Sequence, residues 1–279
     1  MEWIYLSKNG NDACMDLLSR GGNTVSIPLE QFDYQQDPTT GIVLRGIMKH
    51  KIIKQCWQDQ RPFRYVDTGY FGNRAHARLN PGGWKVWHRI VENDLQQKEL
   101  VQCPGDRWDR LDLVCCPWKS GGQDIVIVAP DEKPCTFYDI ELEEWIETVT
   151  QRLQQFTDRP IVVRQRPRDI VKRNRSQEGS FEQAIANAHA VVTFNSNAAV
   201  ESVMLGVPVF ITHNVSAAGP VANLDLDLIE TPWLADRDLV MSWLHGLAYS
   251  QFHNHELESG TAMKILDSKL QWPIIKVHK

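Results

Sequence analysis

The sequence predicts an α/β fold built from two doubly wound units of mainly parallel strands. Short apolar runs alternate with amphipathic stretches at a spacing that suits βαβ units. The run AVVTFNSNAAVESVMLGVPVFIT, Ala190–Thr212, shows the pattern most compactly: buried strand, polar turn, helix, second buried strand. A chain of 279 residues has room for two such units, expected over residues 1–118 and 119–279.

The first unit opens with a strand at Trp3–Leu6 and a helix at Asp12–Ser19, which stops at the breaker Gly21–Gly22. Strands are expected at Thr24–Pro28, Gly41–Leu44 and Phe63–Val66, with a helix near Met48–Trp57. The stretch Gly69–Asp109 is rich in Gly, Pro, Trp and Arg and offers one regular element, a strand at Trp84–Val91. A loop of that length in a compact domain is usually functional.

The second unit begins near Gly121 with a buried strand at Asp124–Ala129. Tyr138–Phe156 reads as an amphipathic helix with an acidic first turn, where the helix dipole favours negative charge. A strand at Pro160–Arg164, a helix at Ser180–Ala188, a strand at Val191–Phe194, a helix at Ala198–Leu205 and a strand at Val207–Ile211 follow. Late helices at Asp236–Tyr249 and Asn254–Leu266 are expected to close this unit, with the tail from Gln271 packing back on the first.

The composition is that of an ordinary soluble globular protein, 42% hydrophobic and 23% charged. No apolar run is long enough to span a membrane, and MEWIYLSKNG lacks the pattern of a signal peptide, so a cytoplasmic location is expected. The six cysteines form no C-x-x-C pair and read as reduced thiols. His253 and His255 lack an acidic partner at ligand spacing, so no metal is expected.

The net charge of −5 argues against a general nucleic-acid binder, but the charge is unevenly spread. Ten basic residues and two acidic ones lie between Arg45 and Arg89; seven basic residues and one acidic one lie between Arg159 and Arg175. Such asymmetry points to an anionic ligand or polymer. No P-loop, dinucleotide-binding or nucleophile-elbow motif is present, which disfavours nucleotide hydrolysis, redox and serine-hydrolase chemistry.

The turn after Phe194 carries Asn195, Ser196 and Asn197, and Glu201 follows one helical turn later. A helix start exposes unpaired amides and the positive end of the dipole, which suits a diphosphate. Glu201 would accept hydrogen bonds from ribose hydroxyls. Arg166 and Arg168 flank Pro167 just beyond a strand end, and arginine suits bidentate phosphate recognition. In YVDTGYFG, Tyr65–Gly72, Asp67 ends a strand and is the candidate general base, with His76 and His88 as rivals. Tyr70 and Phe71 are candidates to stack on a base or sugar ring, and Arg74 and Arg78 to track phosphates.

The order RPR, a polar spacer to an Ala-rich helix, then VVTFNSNAAVESVMLGVPVF resembles the C-terminal half of capsule-synthesis-type glycosyltransferases. Arg166 stands where that family usually has histidine. YVDTGYFG and WLHGLAYSQFHNHELESGTA (Trp243–Ala262) are similar to segments of phage-encoded proteins. The resemblance implies a small GT-B-like arrangement, two Rossmann-like units facing a cleft, and a transferase using a nucleotide-sugar, with a UDP-sugar the expected donor and no further cofactor. The acceptor would be a hydroxylated base in phage DNA, another polyanion, or a capsule or cell-surface glycan. A sugar-nucleotide epimerase and a non-catalytic nucleotide or nucleic-acid-binding module of the same fold stay open beside it.

Overall fold

The computed structural model describes residues 2–7, 12–36, 38–47, 50–73, 85–165, 180–269 and 271–277. Its first elements are β1 (Trp3–Ser7), α1 (Ala13–Gly21), β2 (Ile27–Pro28), β3 (Gly41–Arg45), α2 (His50–Asp59), β4 (Phe63–Thr68), β5 (Trp87–Glu92), β6 (Leu100–Val101) and α3 (Asp106–Asp109). There follow β7 (Asp124–Val128), α4 (Glu132–Tyr138), α5 (Leu142–Leu153), β8 (Ile161–Arg164), α6 (Phe181–Ala184), β9 (Ala188–Thr193), α7 (Ala198–Met204) and β10 (Val209–Ile211). The last are α8 (Arg237–Ala248), β11 (Gln251–His253), α9 (Asn254–Glu258), α10 (Thr261–Lys269) and β12 (Ile274–Ile275).

The chain divides into two compact units. One holds Met1–Gln97, Val101–Leu111 and Leu244–Lys276; the other holds Lys98–Leu100, Asp112–Trp243 and Val277–Lys279. The first unit is therefore discontinuous in sequence, and the division falls inside α8.

In the first unit a six-stranded sheet runs β11-β5-β4-β3-β1-β2. Its β1, β2, β3 and β4 are parallel, while β5 and β11 add antiparallel strands at one side. Ile42, Val43 and Leu44 of β3 are all fully buried, the continuous apolar run that a strand covered on both faces needs. Helix α1 turns Cys14, Met15 and Leu18 inward, and Asp12 caps it by accepting from the Met15 amide at 3.4 Å. These side chains share one core with Val66, Ile90, Phe252, Leu257, Ala262, Met263 and Leu266.

Here the structure departs from the sequence reading. Residues 254–269 do not close the second unit: they form two helices, α9 and α10, broken at Gly260 and packed in the core of the first. Phe252 is the anchor, fully buried on a three-residue strand too short to register as a periodic pattern. Arg107 fixes α9 in place through Glu256, at 2.5 and 3.0 Å, in a pairing that leaves both side chains about one-tenth exposed.

In the second unit four parallel strands run β10-β9-β7-β8. Helix α5 supplies Trp145, Val149 and Leu153, four residues apart on one face, to a core with Ile125, Ile127, Ala190, Val192 and Phe210. The helix expected over Tyr138–Phe156 is α5, which starts only at Leu142; Tyr138 is instead the last residue of α4, which Asp139 ends in a left-handed conformation (φ 56°, ψ 48°). After α7, Gly206 takes φ 75°, and a β-carbon there would lie 2.0 Å from the Pro117 carbonyl oxygen, so only glycine fits this turn.

Candidate functional site

In the second unit the strand register sets the site. Val128 of β7 and Ile211 of β10 both pair with Thr193 of β9, so three strands end at one level. Open parallel sheets bind ligands at that carboxyl edge. Thr193 Oγ1 donates to the Val128 carbonyl at 2.8 Å, and the Thr212 amide donates to the Thr193 carbonyl at 3.1 Å, stitching the edge together.

Beyond Thr193 the chain buries Phe194 and then exposes the half-buried Asn195, Ser196 and Asn197. Helix α7 is short, seven residues, and carries half-buried Glu201 in its first turn. Ser196 already occupies two of the amides at the helix start: its Oγ accepts from Ala198 at 3.1 Å and its carbonyl from Ala199 at 3.0 Å. The expected row of open helix amides is thus partly closed by the turn itself, and ligand recognition there falls more on side chains than on the helix start.

Phe194 is sandwiched edge-on between Tyr138 and His213, with centroids 5.1 and 5.0 Å away. Thr212 Oγ1 accepts from Trp145 Nε1 at 3.2 Å and meets His213 Nδ1 at 3.2 Å. A cavity of about 440 Å³ opens at the ends of β7 and β8, lined by Pro130 and Gln165 and by Asp131, Glu132, Asp139, Glu141 and Glu143. Carboxylates repel a phosphate but accept hydrogen bonds from hydroxyls, so this lining suits a hydroxyl-rich group. Neither the Trp145–Thr212–His213 arrangement nor this cavity is named by the sequence reading; the one visible signal was a Thr-His pair directly after a buried strand.

In the first unit, Asp67 lies at the end of β4 with its side chain 37% exposed. Tyr65 Oη donates to its Oδ2 at 2.8 Å, Arg89 Nη2 to the same oxygen at 3.1 Å, and the Thr68 amide to Oδ1 at 2.7 Å. Burial works against its charged form, but Arg89, the Thr68 amide and the Tyr65 hydroxyl outweigh it and hold the carboxyl below its ordinary value. Asp67 is therefore ionised at neutral pH and is a weakened base.

Tyr70 and Phe71 do not present ring faces to a ligand: they are 2% and 7% exposed. Tyr70 Oη accepts from the Gln97 amide at 2.8 Å and Phe71 packs edge-on to Trp108 at 5.4 Å, so both serve the core and the stacking role expected of them is withdrawn. His88 is 2% exposed, its Nε2 lies 3.1 Å from Asn254 Oδ1, and among the described residues its buried Nδ1 has no hydrogen-bond partner. Burial above all, helped by the Arg45 charge, pushes its pKa down to about 4. Arg74, His76, Arg78, Arg166 and Arg168 lie outside the described residues.

Among the described residues no group of three or more His, Cys, Asp or Glu could hold a metal ion, and no helix is long and apolar enough to cross a membrane.

No protein-family model matches the sequence, and no curated protein matches it. Two solved structures from Thermosulfurimonas dismutans are similar in fold. KpsC, beta Kdo 2,4 transferase, aligns with a TM-score of 0.55 at 11% identity, over 91% of this chain and 92% of that one. KpsC, beta Kdo 2,7 transferase, aligns with a TM-score of 0.52 at 10% identity, over 95% of this chain and 99% of that one. At such identities the likeness is one of fold. The chain shares their GT-B-like fold, mixed α/β with largely parallel sheets.

Proposed function

We propose that this chain is a glycosyltransferase that takes a sugar from a nucleotide-sugar held at the carboxyl edge of the β10-β9-β7-β8 sheet and moves it to an acceptor hydroxyl. The register that ends three strands at Thr193 carries the reading, because it gathers Asn195, Ser196, Asn197 and Glu201 where parallel sheets take ligands. The fold likeness to two Kdo transferases supports it.

In this reading Glu201 accepts from the ribose hydroxyls. The turn residues, with Arg166 and Arg168, neutralise the departing nucleoside phosphate. The carboxylate-lined cavity receives hydroxyl-rich parts of the donor. Asp67, already ionised, takes the proton of the attacking hydroxyl. As that oxygen bonds to the anomeric carbon, the bond to the phosphate breaks and its electron pair leaves with the nucleotide. The donor sugar to try first is Kdo, beside sugars on UDP. The basic run Arg45–Arg89 supports an anionic acceptor, either DNA with a hydroxylated base or a cell-surface glycan.

The test is a melting-temperature screen against nucleotides of every base and their sugar conjugates, followed by transfer assays on both acceptor classes. One base class should stabilise the protein selectively, and Glu201→Ala should remove that stabilisation. Full donor affinity in the Glu201→Ala variant would show that the ribose contact is wrong. Donor turnover with no acceptor would instead identify an epimerase, and binding without turnover a non-catalytic module.

A further inference from the structure

We infer that His213 is a donor-binding residue whose Nε2–H reaches a phosphate oxygen of the nucleotide, held in that role by Thr212 and Trp145. The inference rests on the proposed donor site and adds to it a residue from a different strand.

The argument begins with hydrogen-bond direction. Trp145 Nε1–H can only donate, and it points at Thr212 Oγ1 at 3.2 Å. One lone pair of that oxygen accepts from Trp145, and we assign the hydroxyl proton to its contact with His213 Nδ1, also at 3.2 Å. An imidazole that accepts at Nδ1 carries its proton on Nε2.

The ring is also fixed in direction. It packs edge-on against Phe194, the last residue before the Asn195–Asn197 turn, with centroids 5.0 Å apart and planes at 61°. Phe194 itself is 2% exposed and braced on its other side by Tyr138, so it is a rigid support. Among the described residues His213 Nε2 has no hydrogen-bond partner, although the side chain is exposed.

Position completes the case. His213 follows β10 by two residues, and β10 is the direct neighbour of β9 in the sheet. The Thr212 amide bonds to the Thr193 carbonyl at 3.1 Å, which holds the Thr212–His213 pair beside the strand end that leads into the turn. An oriented N–H donor at the carboxyl edge of a parallel sheet fits an oxyanion. The ligand class is therefore the phosphate or diphosphate of a nucleotide, not the sugar.

The experiment measures affinities of the nucleoside mono- and diphosphates of adenine, guanine, cytosine and uracil, and of the matching nucleosides, for wild type, His213→Ala, His213→Gln, Thr212→Val and Glu201→Ala. Melting of each unliganded variant serves as the control for folding. For the nucleotide that binds wild type best, His213→Ala should lose about tenfold or more in affinity, as expected for a hydrogen bond to a charged group. Its affinity for the matching nucleoside should change little. His213→Gln, which keeps an N–H donor, should recover most of the loss, and Thr212→Val should give a smaller loss because the ring is no longer aimed.

If His213→Ala binds that nucleotide like wild type while Glu201→Ala does not, His213 has no such role and the donor site stands. If His213→Gln is as weak as His213→Ala, the ring matters only for its packing on Phe194, and the inference fails. If no nucleotide binds wild type, the donor site itself is wrong and this inference falls with it.

Discussion

His88 gives the sharpest prediction at the scale of one residue. Its pKa falls from 6.5 to about 4 on folding because the imidazole is buried, 2% exposed, on β5. Between those values the unfolded chain takes up a proton that the folded chain refuses. Stability therefore rises with pH across that window, is complete above the unfolded value, and is lost as pH falls toward the folded one. The full shift is worth roughly 3 kcal/mol. Denaturant unfolding of wild type and His88→Gln at about pH 7 and about pH 4.5 measures it. The variant should lose clearly less stability on acidification than wild type; equal losses would show that another group sets the acid sensitivity.

Single residues were legible where local chemistry decided them. Asp67 was placed at a strand end from its apolar approach and the glycine after it. Tyr70 and Phe71 were misjudged because a Gly-Tyr-Phe-Gly run looks like an exposed loop; the partner that buries Tyr70, the Gln97 amide, is fixed only by tertiary structure. For the same reason Trp145, 67 residues from Thr212, could not be read as its orienting donor.

At the scale of elements, β3, β7, β8 and β9 were legible from their runs of Val, Ile and Leu, and β1 and β4 from short aromatic and aliphatic stretches between turn signals. The antiparallel pairing of β11 with β5 was not, since three residues carry no periodicity. This pairing matters for stability. The core of the first unit takes Phe252, Leu257, Ala262, Met263 and Leu266 from β11, α9 and α10. Arg64, only 1% exposed, pairs with Glu92 at 3.2 Å and with Asp267 of α10. Ending the chain after Trp243 would open that core and strand a buried guanidinium with one partner fewer. Hydrogen exchange on such a truncated chain should show the amides of β1, β3 and β4 unprotected while those of β7 and β9 stay protected. Protected β1, β3 and β4 would mean that the N-terminal segment folds unaided.

At the scale of the whole molecule, two α/β units were legible from composition and alternation, but their membership was not, because the chain returns to its first unit after Trp243. The function proposed above turns on one claim: a nucleotide-sugar binds at the ends of β9 and β10. Hydrogen exchange of the full chain, with and without the nucleotide chosen by the melting screen, tests it directly. The account predicts slowed exchange in residues 193–202 and 211–214. Tight binding that leaves both segments unchanged and slows exchange only in the first unit would contradict it.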